Sequence, residues 1–259
     1  MCAVDRWHEF LEWARDRVKK RGDIYFLGMG DYDDLSSTSE REILRSNKLH
    51  DSTIYTLNGL YEENCNRLYR EIDFMKGRLI GLIEGNHFSQ FDSGITTTQM
   101  LCEKMQCKYL GVSSFIRLNL VYSTTYRQTL DVWAHHGLSG GRTVGASIGK
   151  LENMAKMSDA RINLMGHDHR KQIAFQRKFS LIDSHHGKLT VEDQKILLAR
   201  TGSFLKGYED GRPSYVADAC LPPTDLGVVK IEITPHRSCF KNKLNGKGDS
   251  RWIDIHATI

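Results

Sequence analysis

Residues Arg161–His169 read RINLMGHDH: an apolar run of the length of a buried strand, broken by Gly166 and followed by two histidines one residue apart. Short apolar runs bounded by glycine read as strands buried on both faces. A histidine pair placed directly after such a strand stands where ligand sites of α/β sheets gather, outside the carboxyl ends of the strands. The same grammar recurs upstream. DIYFLGMGD (23–31) and GRLIGLIEGNH (77–87) are apolar runs that end in glycine and polar residues, and RQTLDVWAHHG (127–137) ends in two histidines. Four strand ends therefore offer Asp31 and Asp34, Asn86 and His87, His135 and His136, and His167 and His169. Glycine at each corner permits tight turns and close approach of several loops. A carboxylate, an amide oxygen and imidazoles form a mixed nitrogen and oxygen set suited to Mn, Fe, Zn or a similar divalent ion.

Between these strands the chain alternates with helices. Trp7, Phe10, Leu11, Ala14 and Val18 recur at helical spacing, so residues 5–20 form an amphipathic helix. Residues from about 55 to 76 also read as helix, as do TTTQMLCEKMQ (96–106), with a threonine as N-cap, and TVGASIGKLENMAKM (143–157). FIRLNLVYS (115–123) pairs with the strand that ends at the double histidine. After GHDH come further strands: KQIAFQRKF (171–179), QKILLARTGSF (194–204), LGVVKIEI (226–233) and RWIDIHATI (251–259). Strand–helix alternation with a strand-rich end predicts an α/β fold of packed layers. No repeat, low-complexity segment or linker divides the chain, so one domain spanning residues 1–259 is expected.

The composition excludes several classes. At 40% hydrophobic and 26% charged residues over 259 positions the chain can bury a core. It has no apolar run of about 18 residues, so no membrane partner is expected. Its first 21 residues carry acidic side chains and lack a signal-peptide core. Six cysteines lie scattered without a C-x-x-C pair, which points to a reducing cytoplasm rather than a disulfide framework. The net charge of +4 suits a polyanionic partner without demanding one. The basic stretches RDRVKKR (15–21) and HRSCFKNKLNGKGDSR (236–251) read as a solvated helix face and a polar hairpin loop.

GD-x-x-D at Gly30–Asp34, GNH at Gly85–His87, HHG at His135–Gly137 and GHDH at Gly166–His169 occur in this order, each behind a strand. Together they resemble the calcineurin-like metallophosphoesterases. The resemblance covers residues 24 to 170, and the tail from Thr201 to Ile233 resembles that of uncharacterised phage and prophage members. It implies a four-layer α/β/β/α sandwich, two divalent ions (Mn, Fe, Zn or Ni) and hydrolysis of a phosphomonoester or phosphodiester, with nucleic acid or a nucleotide among the substrates. It further implies that Asp31 bridges the ions and that Asn86, His135 and His167 complete one site while His169 serves the other. Either His135 or His136 can supply an imidazole; His135 matches the family's strand-end histidine. His87 is then the general acid beside the phosphate, and Asp34 orients a histidine ring. The expected setting is the cytoplasm of a bacterial or phage-infected cell.

Two departures stand out. Phe88 follows GNH, where the family has Asp or Glu. The family's first motif, D-x-H, does not precede Asp31, and Asp5–His8 has the wrong spacing within a helical segment. The expectation drawn from this is a longer native protein whose upstream strand supplies two further ligands. The competing expectation is a non-catalytic metal- or partner-binding module of the same fold.

Overall fold

The computed structural model describes residues 2–20, 22–33, 35, 38–44, 49–123, 126–138, 143–183, 189–242 and 246–259. Within them lie six α-helices and ten strands in three sheets. The order is α1 (Val4–Lys20), β1 (Phe26–Gly28), α2 (Thr38–Leu44), α3 (Asp51–Ile72), β2 (Leu79–Leu82), α4 (Thr97–Met105), β3 (Lys108–Tyr109), β4 (Ser113–Ser123) and β5 (Tyr126–His135). It continues with α5 (Val144–Ala155), β6 (Ile162–Met165), β7 (Lys171–Asp183), β8 (Leu189–Thr201), α6 (Tyr215–Asp218), β9 (Lys230–Asn242) and β10 (Gly246–Thr258).

A three-stranded parallel sheet has the order β1-β2-β3, and a five-stranded mixed sheet the order β4-β5-β6-β8-β7. In the larger sheet β5, β6 and β8 run parallel, while β4 and β7 pair antiparallel to their neighbours. β9 and β10 form an antiparallel hairpin. Parallel strands release their chains at the same edge, so β1 and β2 deliver their polar ends side by side, as do β5 and β6. The fold is thus mixed α/β, as the alternation of apolar runs required.

Three apolar clusters hold these parts together. Ile83, with Leu27 and Met29 beside it, packs with Leu130, Val132, Ala134, Ile162 and Leu164 of the larger sheet and Ile253 and Ile255 of the hairpin. On the other side of the small sheet, Leu11 and Ala14 of α1, Ile72 of α3 and Leu101 and Met105 of α4 bury against Leu82. Beyond the larger sheet, Leu151 and Met154 of α5 cover Met165, Ile196 and Leu198. Burying a residue such as Leu101 stabilises the fold by roughly 1.5–3 kcal/mol relative to exposure.

The helix limits follow from local chemistry. Thr96 caps α4: its hydroxyl accepts from the Gln99 amide at 3.2 Å, and the Gln99 side chain accepts from the Thr96 amide at 2.8 Å. α4 ends where Gln106 turns left-handed, with φ of 54°. The short helices α2 and α6 were not expected, and two strand features also differ from expectation. Strands β9 and β10 run through the described part of the stretch read as a polar hairpin loop, because its residues pair in register from Asn242 with Gly246 inward. The short strand β3 went unread, since two residues carry no periodicity. No helix among the described residues is long and apolar enough to cross a membrane.

Candidate metal centre

Asp31 lies three residues past β1 and Asn86 four residues past β2, so the two parallel strands set them at one edge. The Asp31 Oδ1 accepts from the His87 amide at 2.8 Å, which ties the first loop to the second. Gly85 is demanded by this contact: a Cβ there would fall 1.9 Å from Asp31 Oδ1 and 2.3 Å from the Asp31 amide nitrogen. Across the gap between sheets, His136 Nδ1 donates to the Met29 carbonyl at 2.9 Å. Gly30, at φ 103°, makes room for that ring, since a Cβ would stand 2.4 Å from Nδ1.

With its Nδ1 proton spent on Met29, His136 turns Nε2 inward. There it lies 2.9 Å from Asn86 Oδ1 and 3.3 Å from Asp31 Oδ2. His167 Nδ1 completes the group, 2.8 Å from Asn86 Oδ1 and 3.2 Å from His136 Nε2. Two oxygens and two ring nitrogens thus converge from four loops. When both rings are neutral with their protons on the outward nitrogens, every one of these atoms presents a lone pair and none presents a hydrogen. Such a group calls for a shared positive charge. Among the described residues, Asp31, His136 and His167 satisfy the spacing of a metal-binding triad, their ligand atoms all lying within 4.8 Å of one another. Asn86 Oδ1 adds a fourth donor atom, an uncharged one.

The electrostatics express the same demand. Burial alone would raise the Asp31 pKa, but the hydrogen bond and charge of His136 and the His87 amide outweigh it and hold the carboxyl below its ordinary range. Burial likewise opposes protonation of His136, yet Asp31 and the Met29 carbonyl push its pKa up. Burial, then the charge of His136, lowers the pKa of His167. The cluster draws in positive charge, and the ring best placed to carry a proton is the one facing the carboxylate.

Backbone strain is concentrated here. Five described non-glycine residues have positive φ, and three of them are Asp31 at 56°, His167 at 71° and His169 at 58°. Left-handed backbone costs most residues energy and persists where the surroundings impose it, commonly at functional sites.

The sequence-derived residues distribute as follows. Asp31, Asn86 and His167 meet in the cluster. His135, expected as the strand-end ligand, does not; the ring that meets them is that of the adjacent His136. The His135 ring instead accepts from the Gly137 amide at 2.7 Å, and burial followed by the His136 charge lowers its pKa. The reason is the period of two along β5: Leu130, Val132 and Ala134 are buried toward the sheet–sheet core, and His136 continues that parity while His135 follows Trp133. His169 lies outside the triad, but the charges of Asp31, Asp168 and His87 act on its ring, and burial leads in lowering its pKa. His87 is anchored through its amide to Asp31. Asp34 lies outside the described residues.

Two arginines unforeseen in the sequence brace the loops. Arg41 of α2, 6% exposed, donates to the Asn86 carbonyl at 2.5 Å and the Phe88 carbonyl at 3.0 Å, with its guanidinium 4.3 Å from the Phe88 ring centre. Phe88 thus packs under a cation. Arg200 of β8 is fully buried and donates to the Gly166 carbonyl at 3.0 Å. No sequence signal marks either, because an arginine at a helix or strand end reads as solvated.

No family model, curated protein or solved structure matches the chain.

Proposed function

We propose that the chain is a metal-dependent phosphoesterase of the calcineurin-like type. The observation that carries this reading is the meeting of Asp31 Oδ2, Asn86 Oδ1, His136 Nε2 and His167 Nδ1 at one point between two sheets. The donor set fits a divalent ion such as Mn, Fe, Zn or Ni. The succession of apolar clusters, which separates α1, α3 and α4 from the small sheet and α5 from the large one, supports the family's four-layer α/β/β/α sandwich.

A divalent ion in such a site supplies charge to polarise a phosphoryl oxygen and to make water acidic near neutral pH. The remaining work falls to the chain's own groups. Asp31, with one oxygen tied to the His87 amide, keeps the other directed into the cluster and is the natural shared ligand if His169 serves a second ion. His87, adjacent to Asn86, is the group to protonate a leaving oxygen, a step that typically supplies about 10²–10⁴-fold of rate. The substrate is a phosphomonoester or phosphodiester, with nucleic acid or a nucleotide favoured by the chain's mild excess of positive charge.

A second reading has its own support. Four donors converge on a single point while His169 stands outside the triad, an arrangement also suited to one ion in a binding module without hydrolysis. Calorimetric titration with Mn²⁺ and Zn²⁺, beside hydrolysis of bis-p-nitrophenyl phosphate, separates the readings. Metal binding with metal-dependent turnover is expected. Binding without turnover favours the module, and the absence of binding sinks both.

A further inference from the structure

The GHDH turn is held from behind by a buried charged network. Met165 of β6 pairs with Arg200 of β8, so the arginine leaves its strand level with the start of the turn. Its parity along β8 follows Ile196 and Leu198, the face covered by α5. There its Nε and Nη2 donate to the Ser147 carbonyl of α5 at 3.3 and 3.0 Å, and its Nη1 donates to the Gly166 carbonyl at 3.0 Å. Arg200 Nε also lies 3.3 Å from Asp168 Oδ2, both side chains being almost wholly buried. The Ser147 hydroxyl donates to that same carboxylate, and Asp168 Oδ1 accepts from the Arg170 amide at 3.4 Å. The carboxylate between the two histidines is therefore turned away from the cluster and locked into the sheet–helix interface.

A buried ion pair adds little stability over apolar residues of similar size. The surrounding face, with Ile196, Leu198, Leu151 and Met154, would accept an apolar side chain at position 200. What the network does achieve is geometric. It clamps the turn at Gly166 and Asp168, on either side of His167, whose backbone sits at φ 71°. We propose that Arg200 and Asp168 are positioning residues that hold His167 Nδ1 in the donor cluster, an inference that rests on reading His167 as a ligand.

The test compares the wild-type chain with an Arg200→Met/Asp168→Asn double variant, which removes both charges and leaves no lone buried ion. Three quantities are measured: the melting temperature of the metal-free protein, Co²⁺ affinity by calorimetry, and the side-chain nitrogen signals of the histidines by NMR without metal. The double variant is expected to melt near the wild type, to bind Co²⁺ about 10–100-fold more weakly, as is typical for residues that orient ligands, and to show shifted or doubled His167 signals while those of His135 stay. Affinity within twofold of wild type with unchanged His167 signals overturns the proposal. Should the wild type bind no Co²⁺, the metal reading fails and the NMR comparison alone decides the brace. If the double variant does not fold, Arg200→Lys, which keeps the charge and loses the fork, is judged by the same readouts.

Discussion

His136 Nε2 faces Asp31 Oδ2 at 3.3 Å, across the seam between two sheets that share no strand. The opposite edge of the same ring donates to the Met29 carbonyl, two residues before that aspartate. One imidazole therefore meets the loop after β1 twice, Nδ1 donating to the Met29 carbonyl and Nε2, when protonated, donating to Asp31. This fixes which of the adjacent histidines serves the cluster, and a substitution pair tests it. His136→Ala is expected to abolish Mn²⁺ or Zn²⁺ binding in calorimetry, whereas His135→Ala retains it within a few-fold. The reverse order would return the ligand role to His135.

Gly85→Ala tests the closeness of the two loops. Its Cβ would overlap Asp31 Oδ1 and the Asp31 backbone, so the aspartate has to move. Thermal or urea denaturation should show a loss of about 1–3 kcal/mol, the usual scale for forced overpacking, together with weakened metal binding. An alanine variant as stable as the parent, with full affinity, contradicts the contact.

The titrating groups predict the pH response. His136 has a folded pKa above its ordinary 6.5, so its contribution to stability is complete below about pH 6.5 and fades as the pH rises through the folded value. His167 and His169 have folded values below 6.5; their contributions are present above that pH and are lost as it falls through the folded values. Asp31, held below 3.8, loses its contribution only in stronger acid. Because ligands bind metal deprotonated, His136 has the first proton to surrender. Metal affinity should begin to fall above pH 6.5 on acidification, with proton release visible as a buffer-dependent heat. Affinity flat from pH 8 to 6 would refute the assignment of His136.

Thr96 carries two duties. Its hydroxyl caps α4 and donates to the buried Glu84 carboxylate at 2.5 Å. Thr96→Ala should destabilise the protein by about 1–2 kcal/mol from the cap alone, with Thr96→Ser restoring most of it. Equal stability of the alanine and serine variants would show that the cap contributes nothing here.

His87→Ala and Asp31→Ala should part company. The first is expected to keep its metal and lose about 100-fold or more of any phosphodiester turnover, as for a missing general acid. The second should lose metal and turnover together. Elemental analysis beside the turnover assay reads both, and loss of metal from the His87 variant would make that residue a ligand.

Much of the architecture is legible in the chain because burial writes itself as pattern. INLM before Gly166 and LIGL before the GNH loop are too short and too apolar to be surface segments, and both are strands with polar ends. The donor types at those ends are likewise visible. Even the choice between His135 and His136 was present in LDVWAHH, since the alternation of Leu130, Val132 and Ala134 leads to His136. What tertiary structure alone decided is how the loops meet. Asp31, His167 and His169 are of types that tolerate left-handed backbone better than most, but which of the chain's many Asp and His residues adopt it depends on neighbours far along the chain. Arg200 and Arg41 look like ordinary solvated ends of KILLAR and TSER, and only the packing of β8 against α5 and of α2 against the Asn86 loop buries them on carbonyls. Periodicity records which face of an element is dry; it carries no record of which distant carbonyl waits there, because that depends on the assembled sheets.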